Sequence, residues 1–72
     1  MMKKSELIKQ VRSSLHLSQD DLVRALHVSY ATINRWNNGQ TTPSKLGWHQ
    51  FVMYCREMSD KGKLHCPEVF EA

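Results

Sequence analysis

The chain has 72 residues, and a domain of this size buries only about 60% of the surface its unfolded chain exposes, which leaves little material for a catalytic cleft. Hydrophobic residues at 40% and charged residues at 24% are ordinary globular proportions and argue against a disordered chain. Ten Lys and Arg against seven Asp and Glu give a net charge of +3, a mild lean toward polyanions without the load of a histone-like arm.

Residues Ser5 to Leu15 place Leu7, Ile8, Val11 and Leu15 at helical spacing with Lys4, Lys9 and Arg12 off that stripe. This predicts an amphipathic first helix whose basic side is free to face solvent or phosphate. Ser18 then stands three residues before Asp21, the capping-box pattern in which the Ser oxygen takes an orphan amide and the acid reaches back to the cap's own N–H. A second helix is predicted from Gln19 to Leu26, turning Leu22, Val23, Ala25 and Leu26 to one side, with Asp20 and Arg24 paired at i, i+4 on the other. Ser29 is a second N-cap candidate only three residues after Leu26. Two helices joined by so tight a turn cross steeply.

The third helix is predicted from Tyr30 to about Asn37, with Gly39 as the left-handed stop. Thr42 followed by Pro43 predicts the fourth start, a cap and a first-turn proline. From Ser44 to Met58 that helix carries Trp48, Phe51, Val52, Cys55 and Met58 on one broad face. Gly47 inside it costs about 1 kcal/mol against alanine, and reads either as a close-packing site or as a neutral accident. From Asp60 the segment DKGKLHCPEVFEA loses periodicity and is expected to be a loop, although Pro67 could open one last turn of helix. The expected organisation is one domain over residues 1–59 and a tail, loop or short helix, over 60–72. No repeat, low-complexity tract or strand pattern is present, so the fold class is all-α, a bundle of four to five short helices with a steep helix-turn-helix in the middle.

The third helix has two sides. At 100° per residue Ile33 and Trp36 share the inner one, with Val28 entering the same core just before it. The outer side shows Tyr30, Ala31, Asn34, Arg35 and Asn38. Amides, a phenol and a guanidinium are the chemistry a base edge requires: Arg can hold guanine O6 and N7 together, Asn can hold adenine N6 and N7, and a small Ala can touch a thymine methyl. Asn is a poor choice for a merely solvated helix position, where Glu or Lys folds better, which favours a contact for Asn34.

The run LSQDDLVRALHVSYATINRWNNGQTTPSKL resembles the Cro and cI-type (XRE-family) helix-turn-helix module of phage repressors and bacterial regulators, a lambda-repressor-like fold. Leu17, Ser18, Gln19, Leu22, Leu26, Val28, Ser29, Thr32, Ile33, Trp36, Gly39, Pro43 and Ser44 fall in register with that family's pattern, without a gap. The resemblance implies contacts to double-stranded DNA from Gln19, Ser29, Tyr30, Ala31, Thr32 and Arg35, and a backbone clamp around Asn38, Gln40 and Thr41. Duller roles stay open beside these: capping for Gln19 and Ser29, a back-bond within the helix for Thr32, a C-cap pair for Asn38 and Gly39. His16 and His27 stand where the family often has glycine, so both are predicted to adopt left-handed backbone, which is uncommon for His. The family's usual last helix has no patterned counterpart in residues 60–72.

The implied function is that of a sequence-specific transcriptional regulator of phage or bacterial type, binding as a homodimer on half-sites about 10 bp apart. Leu46 and Met53, seven apart on the polar side of the fourth helix, are the first candidates for a dimer seam, and Val69 and Phe70 the second; scattered surface apolar residues are the alternative. Two other readings are an antitoxin-like interaction module, which a long toxin-wrapping tail would favour, and the targeting piece of a DNA-modifying enzyme, which an adjacent reading frame would favour. No nucleophile, base and orienting group can be assembled from the spacing, so neither catalysis nor a cofactor is expected. Cys55 and Cys66 lack metal-ligand spacing with His49 or His65 and are expected to be buried or idle thiols, with no metal. With no apolar run near the roughly 20 residues a membrane helix needs, a cytoplasmic protein is expected.

Overall fold

A computed structural model describes residues 3–71. Four α-helices follow one another, α1 (Lys4–Leu15), α2 (Gln19–Leu26), α3 (Tyr30–Asn37) and α4 (Lys45–Asp60), and a 3-10 turn spans Pro67–Glu71. Among the described residues no strand occurs, and no helix is long and apolar enough to cross a membrane.

Local chemistry sets most of the boundaries. Ser18 accepts from the Asp21 N–H at 3.1 Å while Asp21 accepts from the Ser18 N–H at 2.9 Å, which completes the capping box at the start of α2. Ser29 caps α3 by accepting from the Thr32 N–H at 3.1 Å. The ends are left-handed. His16 has φ 56°, and its N–H reaches Ser13 O while the Leu17 N–H reaches Arg12 O, the paired bonds of a Schellman motif. His27 has φ 57°, and its N–H closes on Val23 O. Gly39, with φ 73°, ends α3 in the same way as His16, through bonds from Gly39 to Trp36 O and from Gln40 to Arg35 O.

Two local expectations are corrected. The cap of α4 is Ser44, whose Oγ accepts from the Gly47 N–H at 3.1 Å, and not Thr42. Pro43 therefore stands just before the cap, outside the helix, where its missing N–H breaks no helical bond. Arg24 pairs with Asp21 instead of Asp20. The capping box already holds the Asp21 carboxylate in place, one helical turn before Arg24, so the guanidinium finds its partner at i, i+3.

The core gathers Leu7, Ile8 and Val11 from α1, Leu22 and Leu26 from α2, Ile33 and Trp36 from α3, and Trp48, Phe51 and Cys55 from α4. The Trp48 and Phe51 rings lie tilted with centroids 5.2 Å apart, and the Lys4 ammonium sits 5.2 Å from the Trp48 ring centre. Leu64, Cys66 and Val69 join this core from beyond α4, so the aperiodic tail fills the bundle although its sequence has no helical stripe. Val69 is 1% exposed and is removed from the candidate dimer seam.

Two contacts hold α3 against the rest. A Cβ on Gly47 would meet Trp36 Cη2 and Cζ2 at 3.0 Å, so the missing side chain is what lets the indole lie against α4. That settles the open reading of Gly47 as close packing. On the other flank Arg12 of α1 donates to Leu17 O at 3.2 Å and to Asn37 Oδ1 at 2.9 Å. One guanidinium thus ties the turn before α2 to the last residue of α3.

Candidate nucleic-acid interface

The short α3 is anchored by burial of Ile33, Trp36 and Asn37. Its outer side is formed by Tyr30, 52% exposed, with Ala31 and Arg35 exposed and Asn34 half-buried beside them. Four different side chains therefore stand on one helix flank. None of their polar groups takes part in a side-chain hydrogen bond or ion pair among the described residues. Such groups cost nothing extra to pair with an incoming ligand, since no internal bond has to break.

Ser29 and Thr32 differ from that group. Ser29 Oγ caps the helix and lies 2.8 Å from Thr32 Oγ1, so each hydroxyl already has a protein partner. A hydroxyl keeps further hydrogen-bonding capacity when it makes one such bond. At the start of α2, Gln19 is half-buried with its Oε1 enclosed and lacking a hydrogen-bond partner, so the carbonyl end of the amide is turned into the protein. Such an unpaired acceptor costs about 1–3 kcal/mol. Nearby, the Ser18 backbone N–H, then the Ser18 hydroxyl and Arg24, hold the Asp21 carboxyl below its ordinary value.

Past α3, Asn38, Gln40 and Thr41 are all exposed on the loop that leads to Pro43. Asn38 keeps right-handed backbone as the residue after the helix, and Gly39 takes the left-handed position. The ten residues singled out in the sequence thus fall into four groups: Gln19 at the start of α2, Ser29 and Thr32 at the cap of α3, Tyr30, Ala31, Asn34 and Arg35 on its outer flank, and Asn38, Gln40 and Thr41 in the loop after it. Spacing did not point to Arg12 and Asn37, which act behind that surface. The sequence reads Arg12 as part of the free basic side of α1, whereas its guanidinium is committed to Leu17 O and to Asn37, 25 residues away.

The cysteines lie elsewhere. Cys55 is fully buried, and burial first, then the neighbouring Cys66, pushes its thiol up to about 12. Among the described residues no group of three or more His, Cys, Asp and Glu side chains is placed to hold a metal ion.

A family model described as helix-turn-helix matches residues 8–46, from Ile8 in α1 to Leu46 in the first turn of α4. No curated protein and no solved structure matches the chain.

Proposed function

Because the chain belongs to the helix-turn-helix family of the Cro/cI (XRE) type, whose fold implies DNA binding, we propose that it is a sequence-specific regulator of transcription that places α3 in the major groove of double-stranded DNA. The observation that carries this reading is the outer flank of α3, where Tyr30, Ala31, Asn34 and Arg35 stand together without internal polar partners while Ile33 and Trp36 fix the helix from behind. Arg35 and Asn34 read base edges bidentately, and Ala31 admits the backbone or meets a thymine methyl. Gln19 meets backbone phosphate through its Nε2 donors, because its Oε1 is turned inward. Ser29, Thr32, Asn38, Gln40 and Thr41 contribute hydroxyl and amide contacts that set position on the duplex and carry no sequence information of their own.

Two copies bind together in this reading. Leu46 is 68% and Met53 52% exposed on α4, one apolar seam on an otherwise polar flank. Phe70 stays at the rim, with Arg56 stacked 4.8 Å from its ring centre.

Selection from random-sequence duplex pools tests the whole proposal. The expected outcome is an enriched motif of two related half-sites about 10 bp apart, bound with strong salt dependence. Arg35→Ala should weaken that site by about 1–3 kcal/mol and relax preference at one base pair. A pool without enrichment, or an Arg35→Ala profile identical to that of the parent, would refute it.

A further inference from the structure

Six of the seven acids lie away from the first turns of α1 in sequence. Asp20, Asp21, Glu57, Asp60, Glu68 and Glu71 lie on α2, the last turn of α4 and the tail. Where the first turns of α1 meet the loop after α3, a cleft of about 640 Å³ is lined by Lys3, Lys4 and Lys9 and has Glu6 as its one acid. The opposite wall of this cleft carries Asn38, Thr41 and Thr42. Asn38 follows Asn34 by one helical turn, so the cleft opens directly off the outer flank of α3.

We infer that this cleft is a phosphodiester subsite, in which Lys3 and Lys9 of α1 grip DNA backbone beside the bases that α3 reads. The inference rests on the DNA-binding reading above and adds to it residues of α1 and Thr42. The three lysines are not equivalent. The Lys4 ammonium is held over the Trp48 ring, whereas Lys3 and Lys9 are exposed and make no ion pair among the described residues. Two cations on one wall and hydroxyl and amide donors on the other match an anionic tetrahedral group with several acceptor oxygens. A base edge, with its mixture of donors and acceptors, is the poorer fit. Position also matters, because the groove that holds a helix is walled by sugar-phosphate backbone, and a clamp at the end of α3 fixes how deep and at what angle the helix enters.

The test compares the full chain with three paired variants on the duplex selected for the parent and on a random duplex. Lys3→Gln with Lys9→Gln should lower the magnitude of the log–log slope of affinity against salt by about 1 to 2, one counterion contribution of about 0.9 for each phosphate released. The loss should be equal on both duplexes, with the preferred motif unchanged. Lys3→Arg with Lys9→Arg should keep the parental slope. Lys61→Gln with Lys63→Gln removes the same charge from the turn that ends α4, outside the cleft, and should leave the slope in place. If the parent binds with salt dependence and the Lys3 and Lys9 pair keeps that slope, or alters preference at a base pair, the subsite is wrong while the DNA reading stands. If the parent binds no duplex at all, both fall together.

Discussion

His16 and His27 show how a single residue can be legible as an anomaly. Both occupy left-handed backbone at helix ends, φ 56° and 57°, where an L-residue with a Cβ loses roughly 1–2 kcal/mol relative to right-handed backbone. Both side chains are exposed, so the imidazoles gain no burial in return. Glycine removes the Cβ clash but loses about 0.4–1 kcal/mol through the freer unfolded chain. The first effect is the larger, so His16→Gly and His27→Gly should each stabilise by about 0.5–1 kcal/mol, a rise of several degrees in thermal midpoint for a domain this small. A midpoint that falls in either variant would show that the imidazole makes a contribution its exposure conceals. Asp21 supplies the pH dependence at this scale. Its folded carboxyl is held below the ordinary 3.8 by the Ser18 N–H, the Ser18 hydroxyl and Arg24. Between the folded and unfolded values the unfolded chain binds more protons, so this contribution is present above about pH 4 and is lost as pH falls through the folded value. Urea midpoints followed from pH 6 down to 2 should therefore drop less steeply for Asp21→Asn than for the parent.

At the scale of the element, what could be read in advance was what is local. The starts of α2 and α3, the stops at His16, His27 and Gly39, and the inner stripe of α3 depend on residues within a turn or two of each other, and periodicity and capping chemistry report such neighbours directly. The fourth start is ambiguous because Thr42 and Ser44 are both good caps, and Pro43 fits either the first turn of a helix or the residue before its cap. Gly47 could not be decided at all from its own segment. Its meaning lies in the Trp36 indole, which belongs to another helix and comes within 3.0 Å of where a Cβ would stand. Gly47→Ala gains about 1 kcal/mol of helix propensity and loses more, since two atoms of a rigid, buried ring must retreat and overpacking of this kind costs typically 1–3 kcal/mol. The expected outcome is a net loss of up to about 2 kcal/mol in denaturant unfolding, accompanied by weaker DNA binding because the displaced indole carries α3 with it. Pairing the change with Trp36→Phe should recover part of the stability, and a variant more stable than the parent would mean that the ring yields freely.

For the whole molecule, the hidden feature is closure. A lack of periodicity after Asp60 correctly indicates that no long helix follows, yet it says nothing about burial, because a loop can place isolated apolar side chains in a core without any repeat. Leu64, Cys66 and Val69 are each at most 3% exposed, and the 3-10 turn at Pro67 seats Val69 against the inner face of α4, with the Cys66 thiol reaching Glu68 at 3.5 Å. Fully burying a Leu or Val side chain contributes about 1.5–3 kcal/mol, while a 72-residue domain holds only about 4–11 kcal/mol of net stability in all. The tail is therefore expected to be required for folding although it stands outside the residues matched by the family. Ending the chain after Asp60 should abolish the cooperative thermal transition or lower its midpoint by more than about 10 °C. Leu64→Ala should give the graded version, a loss of about 2–5 kcal/mol in urea unfolding. Its effect on DNA affinity should disappear once conditions are chosen in which the variant is fully folded, since Leu64 supports the bundle and lies off the recognition surface. A truncated chain that melts with the parental midpoint would show instead that residues up to Asp60 form a complete domain and that the tail only covers it.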